Sequence, residues 1–303
     1  MVHSKIQKQL IYDFLSGDKR LLIVLDACRY DLFIKNVDLL APFIPFVSKV
    51  ISLGSCTRDW LINTFTKPIN AVYITANPWV TKVFKNFKQF KMIDDVSARY
   101  WDNKLGTVRA EYTNLVALKY LFKRENLIVH YLQPHAPFVK GSWLYKVIGS
   151  SNKIADEMYK LASKNRKARR EFKRAYVENL RYVLKYAKKL ALVALRRGYK
   201  IVITSDHSEL LGVYAPIKFL VRILMKKRYK RVITLDNMPN VHMHQNIHSL
   251  TYIRKAVNLL KNWLPYAIGY YRIVDHPCMW PDKELYEVPW AEIRLVKKGL
   301  LLD

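Results

Sequence analysis

Three short runs, RLLIVLD at 20–26, NLIVHYL at 126–132 and KIVITS at 200–205, are apolar at nearly every position and rich in Ile, Leu and Val. A strand with one wet face alternates apolar and polar residues; a strand without that alternation is buried on both faces. Such strands belong to parallel sheets, whose crossover connections lay helices on either side. The sequence between the runs supplies those helices. Residues 4–16 set Ile6, Leu10, Ile11 and Phe14 at helical spacing ahead of Gly17, and residues 108–123 do the same with Tyr112, Leu115, Val116, Leu118 and Phe122. Residues 151–198 read as helical and strongly basic, with Phe172, Tyr176, Leu180, Val183, Ala187, Leu190 and Ala194 forming one apolar face. Further strands are expected at 49–54, 71–75, 89–94 and 231–235, and a late helix from His248 to Trp263. The predicted fold is α/β, a mostly parallel sheet sandwiched by helices in three layers. It forms one domain over residues 1–263, including the basic helical segment 151–198. Residues 264–303, rich in Trp, Pro and Tyr, are expected to pack on it as a small appendage.

Ligands of open α/β sheets sit outside the carboxyl ends of the strands. Four predicted strands end there in chemistry: Asp26 after the first, Ser55-Cys56-Thr57-Arg58 after the second, His135 after LIVHYL and Asp206-His207 after KIVITS. Any one of these reads equally well as a polar turn, but turns alone do not explain all four at one sheet edge. Asp26, Asp206 and His207 are oxygen and nitrogen ligands suited to a divalent cation, and a hydroxyl or thiol of the GSCTR turn can complete the shell. RDWLINTF reads as a helix, whose free N-terminal amides can receive a phosphate or sulfate. Arg29 and Arg58 are candidates to offset charge on a transferred group. His248, in HMHQNIHSL, is a further candidate substrate contact; its neighbours His242 and His244 rank below it. Glu209 is expected to form a salt bridge or cap a helix, without a catalytic role.

Charge and cysteine content restrict the partners and the setting. The chain carries 52 Lys and Arg against 24 Asp and Glu, a net of +28, a surface that attracts polyanions such as nucleic acid and anionic lipid. The densest run, KNRKARREFKR at 164–174, is expected to be the solvated face of a helix. Cys28, Cys56 and Cys278 are widely spaced with no C-x-x-C pair, which predicts neither a disulfide framework nor a zinc knot. No signal peptide and no membrane span is recognised, and a reducing, cytoplasmic location is expected.

Taken in order, VLDACRYD, GSCTRDWL, HYLQPHAPF and ITSDHSELLG resemble the motifs of the alkaline phosphatase–sulfatase superfamily over roughly residues 20–260. The resemblance implies an alkaline phosphatase-like fold with at least one divalent ion: zinc, manganese, magnesium or calcium. It makes Asp26, Asp206 and His207 metal ligands, Thr57 both a ligand and the nucleophile, and His135 a substrate contact. The chain departs from the family in having Ala27 where many sulfatases have a second Asp, Ser208 in place of Gly, and Trp60 where the formylglycine signature has Arg. The expected activity is a metal-dependent phosphoesterase or phosphotransferase acting on a phosphate ester through a covalent intermediate on Thr57, with Ser55 and Cys56 as competing nucleophiles. The alternatives are a sulfatase-like sulfuric ester hydrolase, or an inactive basic member of the fold that binds nucleic acid or anionic lipid.

Overall fold

A computed structural model describes residues 5–86, 88–140, 143–149, 153–213, 272–278, 280, 282–297 and 300–301. Among these residues the chain runs α1 (Gln7–Leu15), β1 (Arg20–Asp26), α2 (Tyr30–Ile34), β2 (Phe43–Ile51), α3 (Thr57–Thr64), β3 (Ile69–Thr75), α4 (Trp79–Phe84) and β4 (Phe90–Asp95). Then follow α5 (Ser97–Tyr100), the short pair β5 (Trp101–Asp102) and β6 (Thr107–Val108), α6 (Ala110–Phe122), β7 (Leu127–Pro134), α7 (Trp143–Ile148), α8 (Ile154–Lys164), α9 (Arg166–Arg196) and β8 (Lys200–Ser205). Strands β9 (Leu210–Val213), β10 (Ile273–Asp275), β11 (Glu287–Lys297) and β12 (Leu300–Leu301) complete the order.

The main sheet has the order β12-β11-β8-β1-β7-β3-β4, with β2 paired to β11. Strands β8, β1, β7, β3 and β4 are mutually parallel. The unbroken apolar strands are explained by two cores. Leu21, Ile23 and Leu25 of β1 face Leu180, Val183, Leu184, Ala187 and Leu190 of α9 and Val116, Ala117 and Leu121 of α6. Leu22 and Val24 point the other way, to Ile11 and Leu15 of α1 and Trp60 and Leu61 of α3. Burying each such side chain contributes about 1.5–3 kcal/mol, which locks the register of the central strands.

Two expectations shift in detail. The basic segment is two helices: the Asn165 side chain accepts from the Ala168 amide at 3.0 Å and starts α9 afresh. Its charge run is solvated as expected, with Arg166, Lys167, Arg170, Lys173 and Arg174 exposed. Within the expected appendage, β11 enters the sheet, antiparallel to β8 on one side and to β2 on the other. β2 therefore points the same way as β8, and its carboxyl end reaches the same sheet edge as those of β1, β7 and β3. The strand expected at 231–235, the helix from His248, and His242, His244 and His248 themselves lie outside the described residues.

Candidate active site

The carboxyl ends of β1 and β8 meet. Asp26 ends β1, Asp206 and His207 follow β8, and ligand atoms of all three, each buried, lie within 4.8 Å of one another. Thr57, at the first position of α3, brings its hydroxyl to the same point: Oγ1 donates to Asp206 Oδ2 at 2.8 Å and lies 3.4 Å from His207 Nε2. Gly54 makes this approach possible, because a Cβ there would overlap the backbone of Trp60 in α3. The backbone after Asp26 is bent to fit. Ala27 sits at φ +58°, a left-handed conformation unfavourable for a residue with a Cβ, and is held by its amide on Asp206 Oδ1 (3.0 Å) and by Tyr176, whose hydroxyl donates to its carbonyl (2.6 Å).

The lone pairs of this cluster converge without enough protons to join them. His207 Nδ1 lies 2.8 Å from the Ser208 carbonyl, which can only accept, so Nδ1 carries the hydrogen and Nε2 presents a lone pair. That nitrogen stands 3.5 Å from Asp26 Oδ1 and 3.4 Å from Asp206 Oδ2. Asp26 Oδ1 and His130 Nε2 are buried with no hydrogen-bond partner, the latter 3.7 Å from Asp206 Oδ2. Burial raises the Asp26 carboxyl pKa, but the surrounding His135, His207 and His130 outweigh it and hold the group well below the usual carboxylate range. Burial likewise opposes charge on His207, yet Asp206 and Asp26 keep its pKa above the ordinary value. Two buried carboxylates, an imidazole lone pair and an orphaned oxygen fit a divalent cation.

A second group faces the cluster. His276, after β10, has Nδ1 3.2 Å from Glu209 Oε2, and Tyr159 donates to the same oxygen at 2.6 Å. Its ring lies 4.6 Å from that of His207, and its Nε2 is 3.3 Å from His135 Nε2. Burial disfavours the His276 imidazolium, but Glu209 prevails and raises its pKa to about 9. Burial lowers that of His135. His135 Nδ1 faces the Ala136 carbonyl, which can only accept, so its Nε2 presents a lone pair to His276 Nε2. Asp26, Thr57, Arg58, Asn77, His135 and His276 line a cavity of about 810 Å³, with half-exposed Trp79 and Trp101 on its rim.

The three candidate nucleophiles are now separable. Ser55 Oγ is spent on the Pro277 carbonyl (2.9 Å), and Cys56 is in a disulfide with Cys278; Thr57 alone faces the carboxylates. Arg58 opens onto the cavity. Arg29 does not: its guanidinium is held by Asp31 (2.8 Å), Glu284 (3.0 Å) and the Glu209 carbonyl (2.7 Å), and the structure places it away from the cavity where substrate contact was expected. Asn77 was not singled out from the sequence, yet its Nδ2 donates to Asp26 Oδ2 (2.7 Å) and to Thr57 Oγ1 (3.2 Å). It stands two residues past the end of β3, so the strand-end rule extended to that strand points to it. Glu209 forms the expected salt bridge, to His276.

No family model and no curated protein matches the chain. Solved structures do. The integral membrane protein lipooligosaccharide phosphoethanolamine transferase A from Neisseria meningitidis is 17% identical over 65% of this chain and 43% of that one, with a TM-score of 0.42. The match thus spans less than half of that protein's length. The C-terminal periplasmic domain of EcEptC from Escherichia coli is 12% identical over 92% and 73% of the two chains, with a TM-score of 0.49, and is also matched as its complex with Zn. The lipoteichoic acid synthase LtaP from Listeria monocytogenes is 11% identical over 92% and 66%, with a TM-score of 0.44. These proteins are members of the alkaline phosphatase–sulfatase superfamily, the one the ordered motifs resemble. The expectations of no disulfide and of a cytoplasmic location do not stand. Cys56 and Cys278 are bonded, a state that persists in oxidising compartments, and the matched EcEptC chain is a periplasmic domain. Among the described residues no helix is long and apolar enough to cross a membrane.

Proposed function

We propose that the chain is a metal-dependent phosphoesterase or phosphotransferase whose nucleophile is the hydroxyl of Thr57. The observation that carries this reading is the convergence of Thr57 Oγ1 with Asp26, Asp206 and the bare Nε2 of His207, beside a cavity that Asp26 and Thr57 line. Asp26, Asp206, His207 and Thr57 would hold the ion. A bound divalent ion lowers the pKa of an alcohol and offsets charge on phosphoryl oxygens. The chain's own groups divide the remaining work. Asn77 orients Thr57 through its 3.2 Å contact, and Asp206 Oδ2, 2.8 Å from Oγ1, stands where the hydroxyl proton departs. Arg58, at the cavity wall, pairs with the anionic ester. The cationic His276 supplies a hydrogen bond and a proton to the leaving oxygen, and His135 beside it contacts the substrate. A phosphothreonine at residue 57 forms, and water or an acceptor hydroxyl releases it.

The alternative of a sulfatase working through a formylglycine at Cys56 is not favoured, because that sulfur is bonded to Cys278. Mass spectrometry of protein quenched during turnover of a generic phosphate monoester or diester tests the proposal. A phosphate on the peptide containing Thr57, absent from Thr57→Ala together with turnover, is the expected result. Undiminished turnover in Thr57→Ala would overturn it.

A further inference from the structure

The segments that carry Thr57 and His276 are far apart in sequence, and one covalent bond joins them. Cys56 immediately precedes Thr57, Cys278 follows His276 by two residues, and the bond spans a sequence separation of 222. Ser55 adds weaker ties, donating to the Pro277 carbonyl at 2.9 Å and accepting from the Trp280 amide at 3.2 Å. A disulfide serving only to brace a core has no need to face a cavity. This one lies on the wall of the reaction cavity, with Cys56 buried and Cys278 half-buried. The third cysteine, Cys28, is fully buried and free.

We infer that Cys56–Cys278 is a positioning element of the Thr57 centre, and that an external dithiol entering the cavity opens it and uncouples His276 from Thr57. The inference rests on Thr57 being the nucleophile. The exchange has a preferred direction. A thiolate of the dithiol attacks Cys278 Sγ, the more accessible sulfur; the S–S bond breaks and Cys56 leaves as a thiolate. Cys56 caps α3, its carbonyl accepting from the Trp60 amide at 3.0 Å, so the leaving thiolate forms at a helix N-terminus, which lowers its pKa and speeds departure. The second thiol of the reagent then displaces the mixed disulfide. Two electrons and two protons pass to the protein, and the dithiol leaves as a disulfide. His276 then keeps its contacts with Glu209 and His135, and Pro277 and Trp280 keep theirs with Ser55. Asp26 and Asp206, fixed at the ends of β1 and β8, stay in place. A displacement of about 1 Å between reacting groups costs about a hundredfold in rate.

Native reduction with dithiothreitol, in parallel with Cys278→Ser, tests this. Titration of the native protein should release two thiols, and kcat should fall about a hundredfold with a smaller change in KM. Amide exchange over residues 272–286 should quicken while that of β1 does not. The divalent-ion-induced rise in melting temperature should persist, and reoxidation should restore kcat. Retention of kcat by both the reduced protein and Cys278→Ser overturns the inference, as does unchanged exchange over 272–286, or thiols that appear only on denaturation. If the oxidised protein itself turns over no phosphate ester, the Thr57 reading fails, and the exchange data still decide whether the bond holds the two segments.

Discussion

Replacing Asp206 with Asn separates the charge of the cluster from its shape. Asp206 Oδ1 accepts from the amides of Ala27 (3.0 Å) and His207 (2.8 Å), and the Asn carbonyl oxygen keeps both bonds. What is lost is the anionic Oδ2 among Thr57, His130 and His207. In metal-free protein two electrostatic changes oppose each other. At an effective dielectric of about 20, relief of the repulsion between carboxylate oxygens within 4.8 Å of each other is worth at least about 3 kcal/mol, and loss of the charge-assisted bond from Thr57 Oγ1 costs about 1.5–3 kcal/mol. The metal-free variant should therefore melt within a few degrees of wild type. With a divalent ion the two diverge. Zinc or manganese at about a hundredfold over its Kd stabilises a one-site protein by about 2.7 kcal/mol, or about 5–10 °C for a domain approaching this size. Asp206→Asn should lose that gain. Differential scanning fluorimetry in chelator, then with each of zinc, manganese, magnesium and calcium, reads both quantities. An undiminished ion-induced shift in Asp206→Asn, or no shift in wild type with any of the four, refutes the assignment of the cluster as a metal site.

Stability should also report the His276–Glu209 pair. The folded pKa of His276 is raised to about 9, so its contribution is fully present below the unfolded value of about 6.5 and lost as pH rises through about 9. Urea midpoints should fall across that window in wild type and stay flatter in Glu209→Gln; equal slopes would remove the pair from the account. The excess of Lys and Arg should make polyanion binding fall steeply with salt through counterion release, whereas turnover of a small ester in the cavity should depend on salt much less. Parallel loss of the two would show that they share a site.

The parts of this fold legible in the sequence are those fixed by local pattern. Continuous apolar runs gave β1, β7 and β8, because a strand buried on both faces has no polar positions to disguise it. Their ends gave Asp26, His135, Asp206 and His207. Thr57 was legible as the residue opening a helix; its hydroxyl meets Asp206, whereas Ser55 and Cys56 engage Pro277, Trp280 and Cys278. The disulfide was not legible, because pairing across 222 positions leaves no mark in spacing. His276 follows a strand of three residues, too short to announce a strand end. Arg29 misled because its place beside Asp26 suggested a substrate contact, while Asp31, two residues on, captures the guanidinium.

The place of β11 bears on how the chain reaches this arrangement. Among the described residues β2 pairs with β11 and with no other strand of the sheet, and the register matches Glu287 with Ile51 and Leu295 with Phe43. The strand that leads to Thr57 is thus moored by residues made last among those it needs. During synthesis at about 5–20 residues per second, β2 waits tens of seconds beyond its own emergence before its partner exists. Contacts of such long sequence separation form slowly. The β8-β1-β7 ladder, by contrast, is complete once residue 205 has emerged. Nascent chains from which residue 205 has emerged should therefore carry a protected β1 and β7 and an exposed β2 edge, so that the arrangement around Thr57 forms as a late, discrete event in maturation.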